Sequence, residues 1–214
     1  MENNIQAIIF DFDGTLYDKK HFAIRLIFND LQNIFLIRAE RAARRQMQGI
    51  DCINAENFYM IFFEKMSMEL NNKKYSAEFC KKWYFEKYLP SFIKILKKHY
   101  SAHKDVTEIF TTLKAKNIKT AVLSDYPCVA QRMNAIGIDI QSISPEMPLL
   151  SSEDFGALKP CPRPFLAIAE MLQTAPKNTL VVGDRADTDG AGAEKAGMQF
   201  LKVEKDLNSV CKNF

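Results

Sequence analysis

Three short apolar runs, each ending in polar and acidic residues, punctuate the chain. Ala7-Ile8-Ile9-Phe10 leads into Asp11-Phe12-Asp13-Gly14-Thr15, Thr120-Ala121-Val122-Leu123 into Ser124-Asp125-Tyr126-Pro127, and Thr179-Leu180-Val181-Val182 into Gly183-Asp184. Runs this short, bounded by turn residues, predict strands buried on both faces, as in a parallel sheet. Helical patterns lie between the later runs. Asp105, with Glu108 as capping-box partner, predicts a helix to about Lys116. Pro162 or Pro164 opens one through Phe165–Leu172, and small residues predict another over Ala191–Ala196, stopped by Gly197. A further strand is expected over Gln199–Val203. Strands alternating with helices imply an α/β fold built on a doubly wound, mostly parallel sheet. In such a sheet, ligands bind beyond the carboxyl ends of the strands, where the acidic turns converge.

The alternation fails between about residues 18 and 97. Gly49 is the only glycine between Gly14 and Gly137, and the segment is rich in Phe, Tyr, Met, Lys and Arg. Helices are predicted at about 20–36, 38–47, 55–70 and 76–88. Phe58, Phe62, Met66 and Leu70 form one apolar stripe at helical spacing, as packing inside a helical unit requires. The expected organisation is an α/β core from residues 1–17 and 98–214, with 18–97 inserted as an all-helical cap over the site.

Composition narrows the function. The chain has 214 residues, 47% hydrophobic and 26% charged, enough for a sizeable core without staples. Its 29 Lys and Arg against 26 Asp and Glu leave a net charge of +3, too balanced to argue for nucleic acid. Five cysteines, an odd number with no CxxC pair, argue against a disulfide framework or a zinc site and fit reduced thiols in a cytoplasmic protein. The polar start Met1-Glu2-Asn3-Asn4 does not read as a signal peptide, and no apolar run reaches the ~20 residues of a membrane span. His21, His99 and His103 lack ligand spacing. Gly190-Ala191-Gly192 follows an acidic loop that would repel a pyrophosphate, which argues against a dinucleotide site. Arg38, Arg41 and Arg45, with Arg44 adjacent, read either as an anion-binding face or as a solvated one.

The chemistry concentrates in the turns. Asp11 and Asp13, two apart on an extended chain, point the same way. Like charges that close need a cation or a proton between them, and Mg²⁺ suits carboxylates plus phosphate oxygens. An Asp-Gly turn after a strand reads equally as a purely structural feature. Asp184, Asp187 and Asp189 crowd one loop, which is either metal-binding or solvated and helix-capping. Ser124, followed by Asp125, and Lys159, before Pro160, stand where a phosphate could be held or neutralised.

Asp11-Phe12-Asp13-Gly14-Thr15-Leu16, a strand ending in Ser124, Lys159-Pro160, and Gly183-Asp184 with Asp189 five residues on resemble, in this order, the four motifs of haloacid dehalogenase-like hydrolases. The resemblance spans roughly residues 5–18 and 100–203, and the insert sits where that family carries its first type of helical cap. It implies Asp11 as the nucleophile that forms an aspartyl-phosphate and Asp13 as general acid and base. It implies Ser124, with Asp125 beside it, as phosphate-binding, and Lys159 as stabilising charge on Asp11 and the phosphoryl group. Mg²⁺ would be held by Asp11, Asp184 and the main-chain carbonyl of Asp13, with Asp189 supporting from behind. Asp187 is off the motif spacing and is expected to be solvated. Asp125 and Arg185 depart from the commonest residues of those motifs. The family's dehalogenases lack a carboxylate at the second position of the first motif, so Asp13 points to phosphoryl transfer. The expected function is hydrolysis of a small phosphorylated metabolite. A phosphomutase of the same superfamily and, further off, a non-catalytic phosphoacceptor are the alternatives.

Overall fold

A computed structural model describes residues 5–204, Leu207 and Val210. The first run becomes β1, Ala7–Asp11, buried along its whole length. Its alternate side chains feed two cores. Ile8 and Phe10 join Val122, Val182 and Phe110 on one side, the Phe10 and Phe110 rings meeting edge-on at 5.3 Å. Ala7 and Ile9 join Leu123, Val181, Phe165 and Ile168 on the other. Each Ile or Phe buried this way contributes roughly 1.5–3 kcal/mol.

After β1 the chain runs through α1 Phe22–Asn29, α2 Ile34–Met47, α3 Ala55–Leu70, α4 Ala77–Trp83 and α5 Leu89–His99. The predicted 55–70 helix is α3, whose N-terminus is capped by Asn54 accepting from the Asn57 N–H at 2.9 Å. Two predicted bounds are corrected. The break expected near residue 37 falls at Asp30, where the carboxylate takes the Asn33 amide at 2.8 Å and α1 stops. The helix expected to end at 88 instead passes through a wide π turn, Tyr84–Tyr88, into α5. Pro90, in the first turn of α5, offers no N–H, and a wider turn there lets the chain continue.

The sheet then resumes with α6 Val106–Ala115, β2 Lys119–Ser124, α7 Val129–Ala135, α8 Ile140–Ile143, β3 Leu149–Ser151, α9 Arg163–Met171, β4 Thr179–Gly183, α10 Ala191–Lys195 and β5 Gln199–Lys202. Among the described residues the five strands are all parallel, in the order β3-β2-β1-β4-β5. This is the doubly wound α/β architecture the sequence predicts. Strands spread first to one side of β1 and then to the other, so the order reverses between β1 and β4, where a crevice opens. Asp11 pairs with Leu123, and Phe10 with Val182, so Asp11, Ser124 and Gly183 reach the same edge. β3, α7 and α8, of three, seven and four residues, are too short to show a period in the sequence. Asp105 does not cap α6; its carboxylate accepts from the Leu207 N–H at 3.0 Å.

Among the described residues no helix is long and apolar enough to cross a membrane. Cys52, Cys80, Cys128 and Cys161 are free; Cys211 and Met1–Asn4 lie outside the described residues.

Candidate active site

The turn after β1 aims Asp11 and Asp13 into different surroundings. Asp11 is buried. It accepts from the Thr15 hydroxyl at 2.8 Å and from the Lys159 ammonium. Burial, then the charge of Asp189 beside it, pushes Asp11 up to about 7, while Lys159 pulls in the opposite direction. The Lys159 ammonium also donates to Asp189 at 2.6 Å. Burial disfavours its charge, but Asp11 and Asp189 outweigh this and hold it protonated.

Asp13 is gripped on several sides. The Arg132 guanidinium reaches both of its oxygens at 2.5 Å, the Tyr17 hydroxyl donates at 2.7 Å, and the Ser124 hydroxyl donates at 3.0 Å. Burial works against the Asp13 charge, yet these partners, Arg132 first, keep the carboxyl below the usual range. Arg132 comes from α7 and is fully buried. It lies over the Phe12 and Phe92 rings at 4.4 and 4.7 Å and donates to the Ser124 hydroxyl at 2.8 Å.

The β4 turn supplies the remaining acids. Asp184 is partly exposed and meets the Lys19 ammonium at 2.5 Å; the same ammonium donates to the Asp13 carbonyl at 2.8 Å. Asp189, in the turn Ala186–Gly190, is buried and accepts from the Arg185 N–H at 3.2 Å. A Cβ at Gly183 would stand 2.5 Å from an Asp189 oxygen, so only glycine lets that carboxylate fold back under the strand end. Asp187 pairs with Arg185 at the surface, the solvated place expected of it.

Asp11, Asp184 and Asp189 each offer an oxygen within 4.8 Å of the others. Two of these carboxylates are buried and share the Lys159 ammonium, and the third, half-buried, pairs with Lys19; such an all-oxygen set suits a hard divalent cation. The three histidines lie outside this cluster.

The cluster opens into a cavity of about 440 Å³. Asp11, Asp13, Lys159, Asp184 and Asp189 all line it; Phe22, Leu26, Arg41 and Gln48 form part of the wall from α1, α2 and the residue after α2. Of the arginine face, Arg38 and Arg45 are solvated, Arg41 reaches the cavity, and Arg44 is buried. Two residues expected to hold phosphate, Ser124 and the cavity-lining Asp125, make hydrogen bonds to protein groups. The Ser124 hydroxyl is buried between Asp13 and Arg132, and the Asp125 carboxylate accepts from the Lys159 N–H at 3.0 Å.

Sequence reasoning missed Tyr17, Lys19 and Arg132, and left Arg44 unassigned. Tyr17 stands four residues after Asp13, a spacing that a turn could have signalled; Arg132 has no such marker. Arg44 donates to Glu40 at 2.7 Å, Glu153 at 2.7 Å and the Asp125 carbonyl at 2.6 Å, and its guanidinium lies 3.9 Å over the Tyr126 ring. Glu153, fully buried just after β3, also accepts from Tyr59 at 2.6 Å and Tyr84 at 3.0 Å. The network joins α2, α3 and the π turn to the loop that follows β2.

Residues 5–197 match the family of haloacid dehalogenase-like hydrolases. The chain is 27% identical over 210 residues to a protein of Caldanaerobacter subterraneus subsp. tengcongensis provisionally named pyrophosphatase PpaX, covering 94% of this chain and 82% of the relative. It is 26% identical over 214 residues to the glyceraldehyde 3-phosphate phosphatase of Methanothermobacter thermautotrophicus, covering 95% and 87%. Its fold resembles that of a 2-haloacid dehalogenase from Pseudomonas syringae pv. Tomato, with a TM-score of 0.60 at 19% identity over 92% of this chain and 86% of that one.

Proposed function

This chain belongs to the haloacid dehalogenase-like hydrolases, and from that membership and its site we propose that it is a Mg²⁺-dependent phosphatase of a small phosphorylated metabolite. The observation that carries the reading is the second carboxylate, Asp13, held beside Asp11 at the end of β1. A dehalogenase of similar fold needs no acid for a halide, whereas an alkoxide leaving group must be protonated. The full-length relatives named above carry phosphatase and pyrophosphatase names, which agrees with this choice.

On this reading Asp11 attacks phosphorus and becomes the aspartyl-phosphate as the ester oxygen departs. Asp13, ionised between Arg132, Tyr17 and Ser124, takes up a proton from solvent as substrate binds, gives it to that oxygen, and then takes one from the water that hydrolyses the intermediate. Lys159, between Asp11 and Asp189, balances negative charge on the nucleophile and the transferring group. Ser124 binds a phosphoryl oxygen by exchanging its bond to Asp13 for one to substrate. Asp125 acts from behind, fixing the main chain at Lys159. Asp11, Asp184 and the Asp13 carbonyl would hold the Mg²⁺, with Asp189 supporting Lys159 and the cluster; the ion supplies positive charge to the phosphoryl oxygens. Residues 18–97 are the cap, and they contribute Phe22, Leu26, Arg41 and Gln48 to the wall that meets the rest of the substrate.

The test is phosphate release from a panel of phosphorylated metabolites in isotope-labelled water, with and without Mg²⁺. The expected result is Mg²⁺-dependent release with label in the phosphate, lost by several orders of magnitude in Asp11→Asn. Isomerisation that requires a bisphosphate, with negligible release, would show a mutase instead.

A further inference from the structure

Lys19 stands at the oxygens proposed for the metal. Its ammonium is 2.5 Å from an Asp184 carboxylate oxygen and 2.8 Å from the Asp13 carbonyl. It reaches them across the bare Cα of Gly14, where an added Cβ would lie 2.7 Å from the Lys19 nitrogen and 2.5 Å from the Asp184 oxygen. Gly14, with φ of 92°, also needs glycine for its backbone. The turn therefore leaves open the space that the ammonium fills. The contact is a charge-assisted bond to a partly buried acid, which is stronger than a bond between neutral groups. Without Lys19, Asp184 would face Asp11 and Asp189 with no ion pair of its own among the described residues, as Lys159 serves those two and the nearby Arg185 is paired with Asp187.

Mg²⁺ binds carboxylate oxygens at about 2.0–2.1 Å and demands a near-octahedral shell. It cannot take that position on Asp184 and the Asp13 carbonyl while an ammonium stays bonded to both. Two cations sharing one oxygen also repel each other. The Lys19 side chain is 41% exposed, so it has solvent to withdraw into.

We propose that Lys19 is a tethered counter-ion that neutralises the metal-free acid cluster and must be displaced when Mg²⁺ binds, so that it weakens metal affinity. The proposal rests on the metal site given above. It makes Lys19 a positioning residue whose removal tightens metal binding, the opposite of what loss of a metal-site residue normally does. Competition and affinity are linked by mass action: whatever stabilises the metal-free state is subtracted from the binding free energy.

The experiment is calorimetric titration of the full chain with MgCl₂ and no substrate, alongside thermal melts over the same metal series. Lys19→Met is expected to bind Mg²⁺ about tenfold more tightly than the parent and to show a larger metal-induced rise in Tm. Its metal-free Tm should fall below the parent's. Lys19→Gln, which keeps a donor but loses the charge, should resemble Lys19→Met, and it stands in if the methionine variant does not fold. Lys19→Arg, which keeps the charge, should stay near the parent. Equal or weaker binding in both neutral variants, with the parent binding normally, would overturn the proposal and leave the phosphatase reading intact. No binding by the parent or any variant would sink the metal site itself.

Discussion

Asp11 and Asp13 show how much two identical side chains can differ through their neighbours. One shares a lysine with a second acid; the other has an arginine, a tyrosine and a serine to itself. If Asp13 is the acid and base, Asp13→Asn should lose far more rate with alkyl or sugar phosphates than with an aryl phosphate, whose phenolate leaves with little protonic help. Steady-state rates on paired substrates, with a stain for phosphorylated protein, check both the ratio and the expected build-up of aspartyl-phosphate. Equal losses on both substrates would remove Asp13 from the acid step. At this scale the sequence was legible where chemistry follows a strand end directly. Asp11, Asp13, Lys159, Asp184 and Asp189 do converge on one cavity. Arg132 was not legible, because it arrives from one helix turn inside α7 and its partner is 119 residues away.

Among the elements, those marked by a cap, a stripe or flanking turn residues were read well, whereas the bounds of α1, α2 and α5 and the shortest pieces were not. α3 spans its predicted range because a capping residue and an apolar stripe both mark it. β3 has three residues, and no pattern fits in three. The arginine face was ambiguous for a physical reason. One helix turn of α2 carries a side chain toward solvent, one toward the cavity and one into the protein, and only the packing of α3 and β3 decides which. Arg44 is the buried one, and it bridges Glu40 and Glu153. Arg44→Met should therefore destabilise the fold by about 3–5 kcal/mol, because it leaves two buried carboxylates without their cation. Chemical denaturation reads this directly; a loss below about 1 kcal/mol would mean the pairs contribute little beyond their own desolvation.

On the scale of the whole molecule, the strand order explains why the site lies where it does. The chain leaves the paired strands β1 and β4 toward opposite sides of the sheet, and every acid of the cluster sits at or beyond the end of one of those two strands. This much followed from the alternation of runs and turns. The unread part was the way α2, α3 and the π turn are fastened to the loops after β2 and β3, since buried polar contacts across long sequence separations leave no local signature. On the proposed reading, the acid cluster would also prefer one metal over another. EDTA should abolish phosphate release and Mg²⁺ should restore it. Ca²⁺ should bind but inhibit, as it takes more ligands at 2.3–2.6 Å and would misplace the nucleophile. Full activity after exhaustive chelation would contradict this.

Glu153 draws Arg44 of α2, Tyr59 of α3 and Tyr84 of the π turn onto a single carboxylate at the edge of the sheet, in a place sealed from water. Lifting the helices away would strand that charge, so local opening there has no cheap route. Amide hydrogens of α2, α3 and β1 should consequently exchange with deuterium together, as one cooperative unit, rather than the helices first. Mass-spectrometric exchange at rising urea reads this, and helices that label well before β1 would show that the two parts melt independently.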